Sequence, residues 1–287
     1  MLMAPVLIFT VLISGCAKRQ TVRIGPSPDA QMQILSEMAA LLFEQKGYPT
    51  EIAEIDDGLQ TIQSAALGGS VDLYPSYTGE GWAQILNESE TYRSTRFSDL
   101  KKQYESMGLN WIGVLPVYSK NTLAVLETTA DKYGLKSISD LKEHAKDLVF
   151  GTSAAYLERP DGFPLLQDVY DLSFKTTRVY EPEMLMEALH DHNIDVISIR
   201  SNDGQLYKSA ARVLIDDRMA LPELNAGFVA TDEILRADPD IRNILEQLKN
   251  VLSSEDLVEL NARVEEGKED PANVASDFLK KKGMIPG

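Results

Sequence analysis

Apolar positions in the first half of the chain alternate between short strand-like runs and helical stripes. Thr21–Ile24 reads as a β-run. Ile34, Leu35, Met38, Leu41 and Leu42 then recur on one helical face, and Gly47 stops that helix. Glu51–Ile55 predicts a second strand, Leu59–Leu67 a buried helix broken by Gly68-Gly69, and Val71–Tyr74 a third strand. Tyr77-Thr78-Gly79 reads as a turn opening another helix at the carboxyl end of that strand, where free N–H groups and a strand end favour small ligands in α/β sheets. A charge-rich helix, Ser98–Met107, leads into the apolar run Trp111–Tyr118. Strand and helix signals in alternation argue for a mostly parallel sheet.

A second block follows. Asn121–Leu126 predicts a strand, Ser139 an N-cap for a helix over Leu141–Asp147, and Val149–Thr152 another strand. Ser153–Tyr170 reads as helical with a break at Pro160-Asp-Gly-Phe-Pro164. Arg178–Tyr180, the helix Glu183–His190 and Asp195–Ile199 complete the block, and Val213–Ile215 and Gly227–Ala230 bring the chain back. The remainder is helical, with Ile241, Ile244, Leu245, Leu248 and Leu252 on one stripe and Leu257, Leu260 and Val264 on the next.

Composition changes this picture in two places. The formal net charge of −16 excludes a nucleic-acid surface, which needs clustered Lys and Arg, and argues against attraction to anionic headgroups. Leu2–Ile13 is an apolar run too short to span a bilayer but suited to the h-region of a signal peptide. It ends in Ile13-Ser-Gly-Cys16, which resembles the lipobox of bacterial lipoproteins. That resemblance implies a signal peptide over residues 1–15, a diacylated Cys16 and a polar tether to residue 21. Cys16 is the single cysteine, so no intramolecular disulfide competes for it, and two acyl chains give stable anchoring. The competing reading is a free buried cysteine behind an ordinary apolar N-terminus.

The segment Asp72-Leu-Tyr-Pro-Ser-Tyr-Thr-Gly-Glu-Gly-Trp82 resembles the Tyr-Pro-Glu-Tyr-Thr-Gly-Thr signature of extracytoplasmic binding proteins that feed quaternary amines (glycine betaine, carnitine, choline) to ABC importers. Further resemblances occur in the family's order: Leu135–Leu141, Arg159-Pro-Asp-Gly162 with Tyr170 downstream, Ser201-Asn-Asp-Gly204, Leu214-Ile-Asp-Asp217 and Val274–Leu279. The resemblance implies an α/β, two-lobed, periplasmic-binding-protein-like clamp of type II with flanking helices. Lobe one is expected over 22–120 and 225–287, and lobe two over 121–224. It also implies a small-molecule ligand, an ABC permease with its ATPase as partners, a monomer, and no cofactor or metal. The expected location is the cell envelope, anchored and facing away from the cytoplasm.

Departures from the family pattern fall in the ligand site. Of the four tyrosines that cage the cation in the family, only Tyr77 is matched; Leu123, Arg200 and Leu224 stand at the other three positions. The glycine-turn lysine is Ser27 here, the threonine three positions after Tyr77 is Glu80, and Arg159 is retained. Each lost ring removes roughly 0.5–2 kcal/mol of cation–π attraction. An arginine about 5 Å from a bound cation adds about 3 kcal/mol of repulsion at an effective dielectric near 20. The expected ligand is therefore a polar zwitterion or organic anion, with Arg159 and Arg200 as anion clamps and Glu80 as counter-charge. A salt bridge from Arg200 to Glu80 or Asp203 that closes the site competes with this. So do a betaine or choline in a cage rearranged around Trp82 or Tyr156, and a sensor or adaptor on the same scaffold.

An enzyme is not expected. His190-Asp-His192 spaces two of the three histidines at i,i+2 near a helix end, and the carboxylate pairs Asp56-Asp57 and Asp216-Asp217 read as solvated turns. No set of nucleophile, base and orienting group can be assembled.

Overall fold

The structure, a computed structural model, describes residues 19–25, 29–55, 58–116 and 118–287. Cys16, Ser27 and the Asp56-Asp57 pair lie outside them. The chain runs β1 (Val22–Ile24), α1 (Ala30–Gln45), β2 (Thr50–Ile52), α2 (Leu59–Leu67), β3 (Leu73–Tyr77), α3 (Thr78–Glu80), α4 (Phe97–Ser106), β4 (Leu109–Ile112) and β5 (Tyr118–Ser119). It crosses into β6 (Asn121–Leu126), α5 (Glu127–Tyr133), β7 (Val149–Thr152), α6 (Ala154–Glu158), α7 (Phe163–Tyr170), β8 (Thr176–Val179), α8 (Leu185–His190), β9 (Val196–Arg200) and β10 (Ala211–Val213). It returns through β11 (Leu224–Thr231) to α9 (Asp232–Ala237), α10 (Asp240–Glu246), α11 (Ser254–Glu265) and α12 (Pro271–Lys281).

Two sheets result. The first has the order β2-β1-β3-β11-β4, with β5 also on β11, and the second β10-β6-β9-β7-β8. Both are mixed rather than mostly parallel. β1 is parallel to β2 and β3, and β7 to β8 and β9, as strands joined by crossover connections are. The strands flanking the two crossings run the other way: β11 is antiparallel to β3, β4 and β5, and β6 to β9 and β10.

Helix ends follow their local chemistry. Asp29 caps α1, accepting from the Met32 N–H, and Gly47 leaves the helix at φ +81°. In the second block the cap is Ser137, not Ser139: Ser137 and Asp140 form a reciprocal capping box that starts a 3₁₀ stretch, Ile138–Glu143. The break at Pro160–Pro164 separates α6 from α7 as the sequence predicts.

Buried apolar residues form four clusters, each confined to one sheet's neighbourhood. Two flank the first sheet and two the second. What joins the halves among the described residues is polar. The strand-to-strand contact at the crossings pairs Leu224 with Ser119. Beside it Asp216 braces the return. Its carboxylate accepts from Lys120 Nζ at 2.8 Å, the Ala220 N–H at 2.8 Å, the Leu221 N–H at 3.1 Å and the Tyr170 hydroxyl. The expected solvated turn at Asp216 is thus corrected: its side chain is 4% exposed.

Burial pushes the Asp216 carboxyl up, but Lys120, Tyr170 and the amide donors outweigh it and hold the group below the usual range. The stabilisation is therefore present above the ordinary carboxylate pKa and lost as pH falls through the lowered folded value. Asp216→Ala, which removes a buried acceptor from two amides and from the Lys120 ammonium, is expected to cost about 3–5 kcal/mol in urea unfolding at neutral pH. A loss within the usual surface range, about 0.5 kcal/mol, would show that the brace carries nothing.

Candidate functional site

The crossings leave a cleft of about 660 Å³ between the halves. One wall is built by the end of β9 and the turn after it, Arg200 to Gln205; the opposite wall is Asp29, at the start of α1, and the residues of α11 and just beyond it. Asn121, Ser153, Tyr156 and Arg159 line the remainder from the second block.

Tyr77 ends β3 and is 1% exposed. Gly79 follows because the chain passes against the return crossing there: a Cβ would meet Leu224 Cδ2 at 2.6 Å and the Glu223 carbonyl at 2.8 Å. Arg200 lies with its guanidinium carbon 5.1 Å from the centre of the Tyr77 ring. It donates to Asp29 Oδ2 at 2.5 Å and to the Tyr77 hydroxyl at 3.4 Å, and comes to 4.0 Å from Glu80. Burial raises the Tyr77 phenol well above its ordinary range, with Asp29 adding to this while Arg200 and Asn202 oppose it. Burial also raises Glu80, against the pull of Arg200 and Arg159. Arg159 is held bidentately by its own neighbour Asp161, at 2.9 and 2.6 Å.

Asp29, Arg200 and Arg159 line the cleft, with Glu80 4.0 Å from Arg200 and Asp161 paired to Arg159. Glu80 faces the protein's own guanidiniums, and neither arginine stands alone as an anion clamp. Asp203 does not pair with Arg200 by hydrogen bond; its Oδ1 accepts from the Gln205 N–H at 2.9 Å.

Several expected positions lie elsewhere. Leu123 is fully buried in the core of the second half, and Leu224 is packed under Gly79 in the core of the first. Neither lines the cleft, because a branched apolar side chain gains more from core packing than from a polar wall. Trp82 is also in a core, 5.8 Å from the Tyr92 ring with its indole N–H on the Glu90 carbonyl. Tyr156 does line the cleft. His190 and His192 are exposed at the end of α8, and no group of His, Cys, Asp and Glu able to hold a metal occurs among the described residues.

Sequence reasoning missed Asn202, Asn261 and Glu265. Asn202 sits inside the quoted Ser201–Gly204 motif, yet its role is tertiary. Its side chain donates to Gln31 of α1 and accepts from the Ser119 hydroxyl, and its carbonyl accepts from Asn261 Nδ2 at 2.7 Å. Two residues on, the Gly204 N–H donates to Glu265 Oε2 at 2.9 Å. A Cβ at Gly204 would lie 2.6 Å from the Ala262 nitrogen, so only glycine lets the turn approach α11 this closely.

A hinged α/β body with two sheets, two crossings and a polar cleft between them defines a solute-binding clamp. Residues 20–281 match the family described as the substrate-binding domain of ABC-type glycine betaine transport systems, and the chain belongs to that family. It is 31% identical over 263 residues to the ergothioneine transport permease/ergothioneine binding protein EgtU of Helicobacter pylori (strain G27), covering 91% of this chain and 47% of that protein. The chain thus spans about half the length of that relative. The carnitine transport binding protein OpuCC of Listeria monocytogenes is 28% identical over 278 residues, covering 95% of this chain and 90% of that one. A crystal structure of a glycine betaine/carnitine/choline ABC transporter superposes with a TM-score of 0.86 at 27% identity, covering 92% of this chain and 99% of that one. The chain is a binding protein of this family and not an enzyme.

Burial, followed by the neighbouring charge of Asp203, pushes the Glu265 carboxyl up to about 7, from 4.5 in an unfolded chain. The folded chain therefore retains a proton that the unfolded chain loses. The associated stability is full below the unfolded value and is lost as pH rises through the folded one. Urea midpoints of the ligand-free protein are expected to fall as pH rises through about 5 to 8, and Glu265→Gln should flatten that dependence. An unchanged slope in the variant would assign the titration to another group.

Proposed function

We propose that this chain is the lipid-anchored, extracytoplasmic solute-binding component of an ABC importer, and that it binds a small polar zwitterion in a cleft whose quaternary-amine cage is altered. Family membership supports the transport role, and Ile13-Ser-Gly-Cys16 supports the anchor. A permease and through it an ATPase are the partners, a monomer the delivering form. The moving bodies are residues 22–120 with 225–287, and 121–224.

The observation that carries the ligand reading is Arg200 over Tyr77. The chain places its own cation on the ring face that a quaternary headgroup needs. A charge-assisted hydrogen bond contributes about 1.5–3 kcal/mol, and a ring face returns roughly 0.5–2 kcal/mol. Displacing Arg200 from Asp29 to seat a betaine headgroup on one tyrosine is therefore unfavourable. A ligand carboxylate, by contrast, meets a guanidinium with five donors, which its protein partners do not exhaust. A purely anionic ligand is the weaker choice, because Asp29, Glu183, Asp203, Glu265 and Glu266 face the same space against Arg159, Arg200 and Lys268. A zwitterion satisfies both signs.

Carnitine and glycine betaine, named for the relatives, favour a second reading in which a quaternary amine binds through Tyr156 in a rearranged cage. A thermal-shift screen of betaines, choline, amino acids, guanidino compounds and small organic acids separates the two. A ligand at about a hundred times its Kd stabilises by about 2.7 kcal/mol. Stabilisation by zwitterions that Arg200→Ala weakens at least tenfold, about 1.4 kcal/mol, is the expected result. Stabilisation by glycine betaine or choline alone, untouched by Arg200→Ala, would overturn it.

A further inference from the structure

The α11 wall of the cleft holds an acceptor with no assigned partner. Asn261 is 3% exposed. Its Nδ2 is committed to the Asn202 carbonyl at 2.7 Å, which fixes the orientation of the amide. Its Oδ1 has no hydrogen-bond partner among the described residues, although the side chain lines the cleft. Leaving a buried acceptor unmet costs about 1–3 kcal/mol, so such an atom in a ligand-sized cleft marks a contact made by something else.

Glu265 stands one helical turn beyond Asn261, on the same face of α11. One of its oxygens, Oε2, is held by the Gly204 N–H, and Asp203 Oδ1 is held by the Gln205 N–H. Two carboxylates held by backbone donors thus line the cleft together with Asn261. The charged groups around Glu265 include Asp203 from the turn, Asp29 from the start of α1 and Arg200 from β9, together with Glu266 and Lys268 just beyond α11, the Lys268 ammonium donating to the Glu265 carbonyl. Burial raises both Glu265 and Asp203, with the Asp203 charge adding to it at Glu265 and the Glu266 charge adding to it at Asp203. An added cation beside them offsets those charges.

We infer that Asn261, Glu265 and Asp203 form a subsite for a ligand nitrogen that carries N–H: a primary ammonium, a guanidinium or an imidazolium. The inference deepens the solute-binding reading above and rests on it. A quaternary ammonium supplies charge but no donor. Its methyl groups would leave Asn261 Oδ1 unmet, whereas an N–H pairs with it and places its charge against Glu265. The carboxylate of the same ligand then faces Arg200 and Arg159, so the cleft reads the two ends of a zwitterion on different walls.

Matched ligand pairs test this: glycine against glycine betaine, ethanolamine against choline, and L-lysine against its ε-trimethyl derivative. Each is titrated calorimetrically into the purified protein and into Glu265→Gln, which keeps an acceptor for the Gly204 N–H. The expected result is at least a tenfold preference for the N–H member of the pair that binds, shrinking at least fivefold in Glu265→Gln. Acidification through about pH 7 should weaken the N–H ligand in the wild type, since protonating Glu265 removes its charge. Equal or better binding of the methylated partner would overturn the subsite while leaving the transport reading in place. So would a preference that Glu265→Gln leaves unchanged. Failure of every compound to bind either protein would overturn both.

Discussion

The arrangement of the two halves depends on one buried amide. Asn202 is 4% exposed and is engaged by Gln31, Ser119 and Asn261, all of which belong to the first half. No apolar cluster crosses between the sheets among the described residues, so this polar junction and the two crossing strands set how the halves meet. Hydrogen bonds in a low-dielectric interior are directional and costly to leave half made. A junction of this kind has discrete arrangements, because its donors and acceptors must be re-paired together. Gly204 adds a steric condition, since the turn reaches α11 only without a Cβ. The same short turn carries Arg200 at one end and Asp203 at the other, so docking the turn places charges of both signs on one wall of the cleft at once.

Charge in the cleft is arranged for exchange rather than for attraction. Arg200 sits between Asp29 and Glu80, and Arg159 is closed on Asp161. These groups are partly exposed, and pairing each with the opposite sign offsets what desolvation they do carry without a ligand. An entering carboxylate replaces one carboxylate partner by another, which conserves the interaction type and makes discrimination depend on geometry. On the proposed ligand reading, a cation without donors has no equivalent exchange on this side, because Arg200 already lies over the Tyr77 ring. Discrimination against quaternary headgroups would then draw on a repulsive element as well as on lost attraction.

Much of the fold is legible in the periodicity. Asn121–Leu126 and Val149–Thr152 are strands with the bounds the sequence predicts, and the proline break after α6 falls where expected. Strand direction is not legible, because β11 and β6 carry the same local pattern whichever way their neighbours run; only the two crossings make them antiparallel. The choice of Ser139 over Ser137 as a cap shows a local rule applied too loosely, since only Ser137 has an acidic residue three positions on. At the site, Glu80, Arg159, Arg200 and Tyr77 were named from the family motifs and do converge. Leu123 and Leu224 were named from alignment with cage tyrosines, and their apolar side chains fill cores instead. Asn261 and Glu265 had no signal at all. They stand on the flank of an amphipathic helix whose apolar stripe is Leu257, Leu260 and Val264, and polar residues on such a flank ordinarily meet solvent. The turn from the other half, arriving by tertiary contact, makes that flank a wall.

The unmet oxygen of Asn261 bears on closure as well as on recognition. Asn261 is buried by the very turn whose carbonyl its Nδ2 binds, so the docked arrangement gains one hydrogen bond and strands one acceptor. If the turn moves off α11, water can reach that oxygen and the acceptor cost of about 1–3 kcal/mol disappears. On the inferred subsite, an N–H ligand removes the same cost in the docked form and gains nothing comparable when the halves are apart. That difference in affinity between two arrangements is what shifts their populations. A ligand that also holds Arg200 and Arg159 on the second half touches both bodies, and each contact adds to the differential. A shift of a few kcal/mol is enough to convert a minor closed population into the dominant one. A quaternary amine of equal charge would leave the stranded oxygen in place, so its leverage on closure would be smaller than its charge alone suggests.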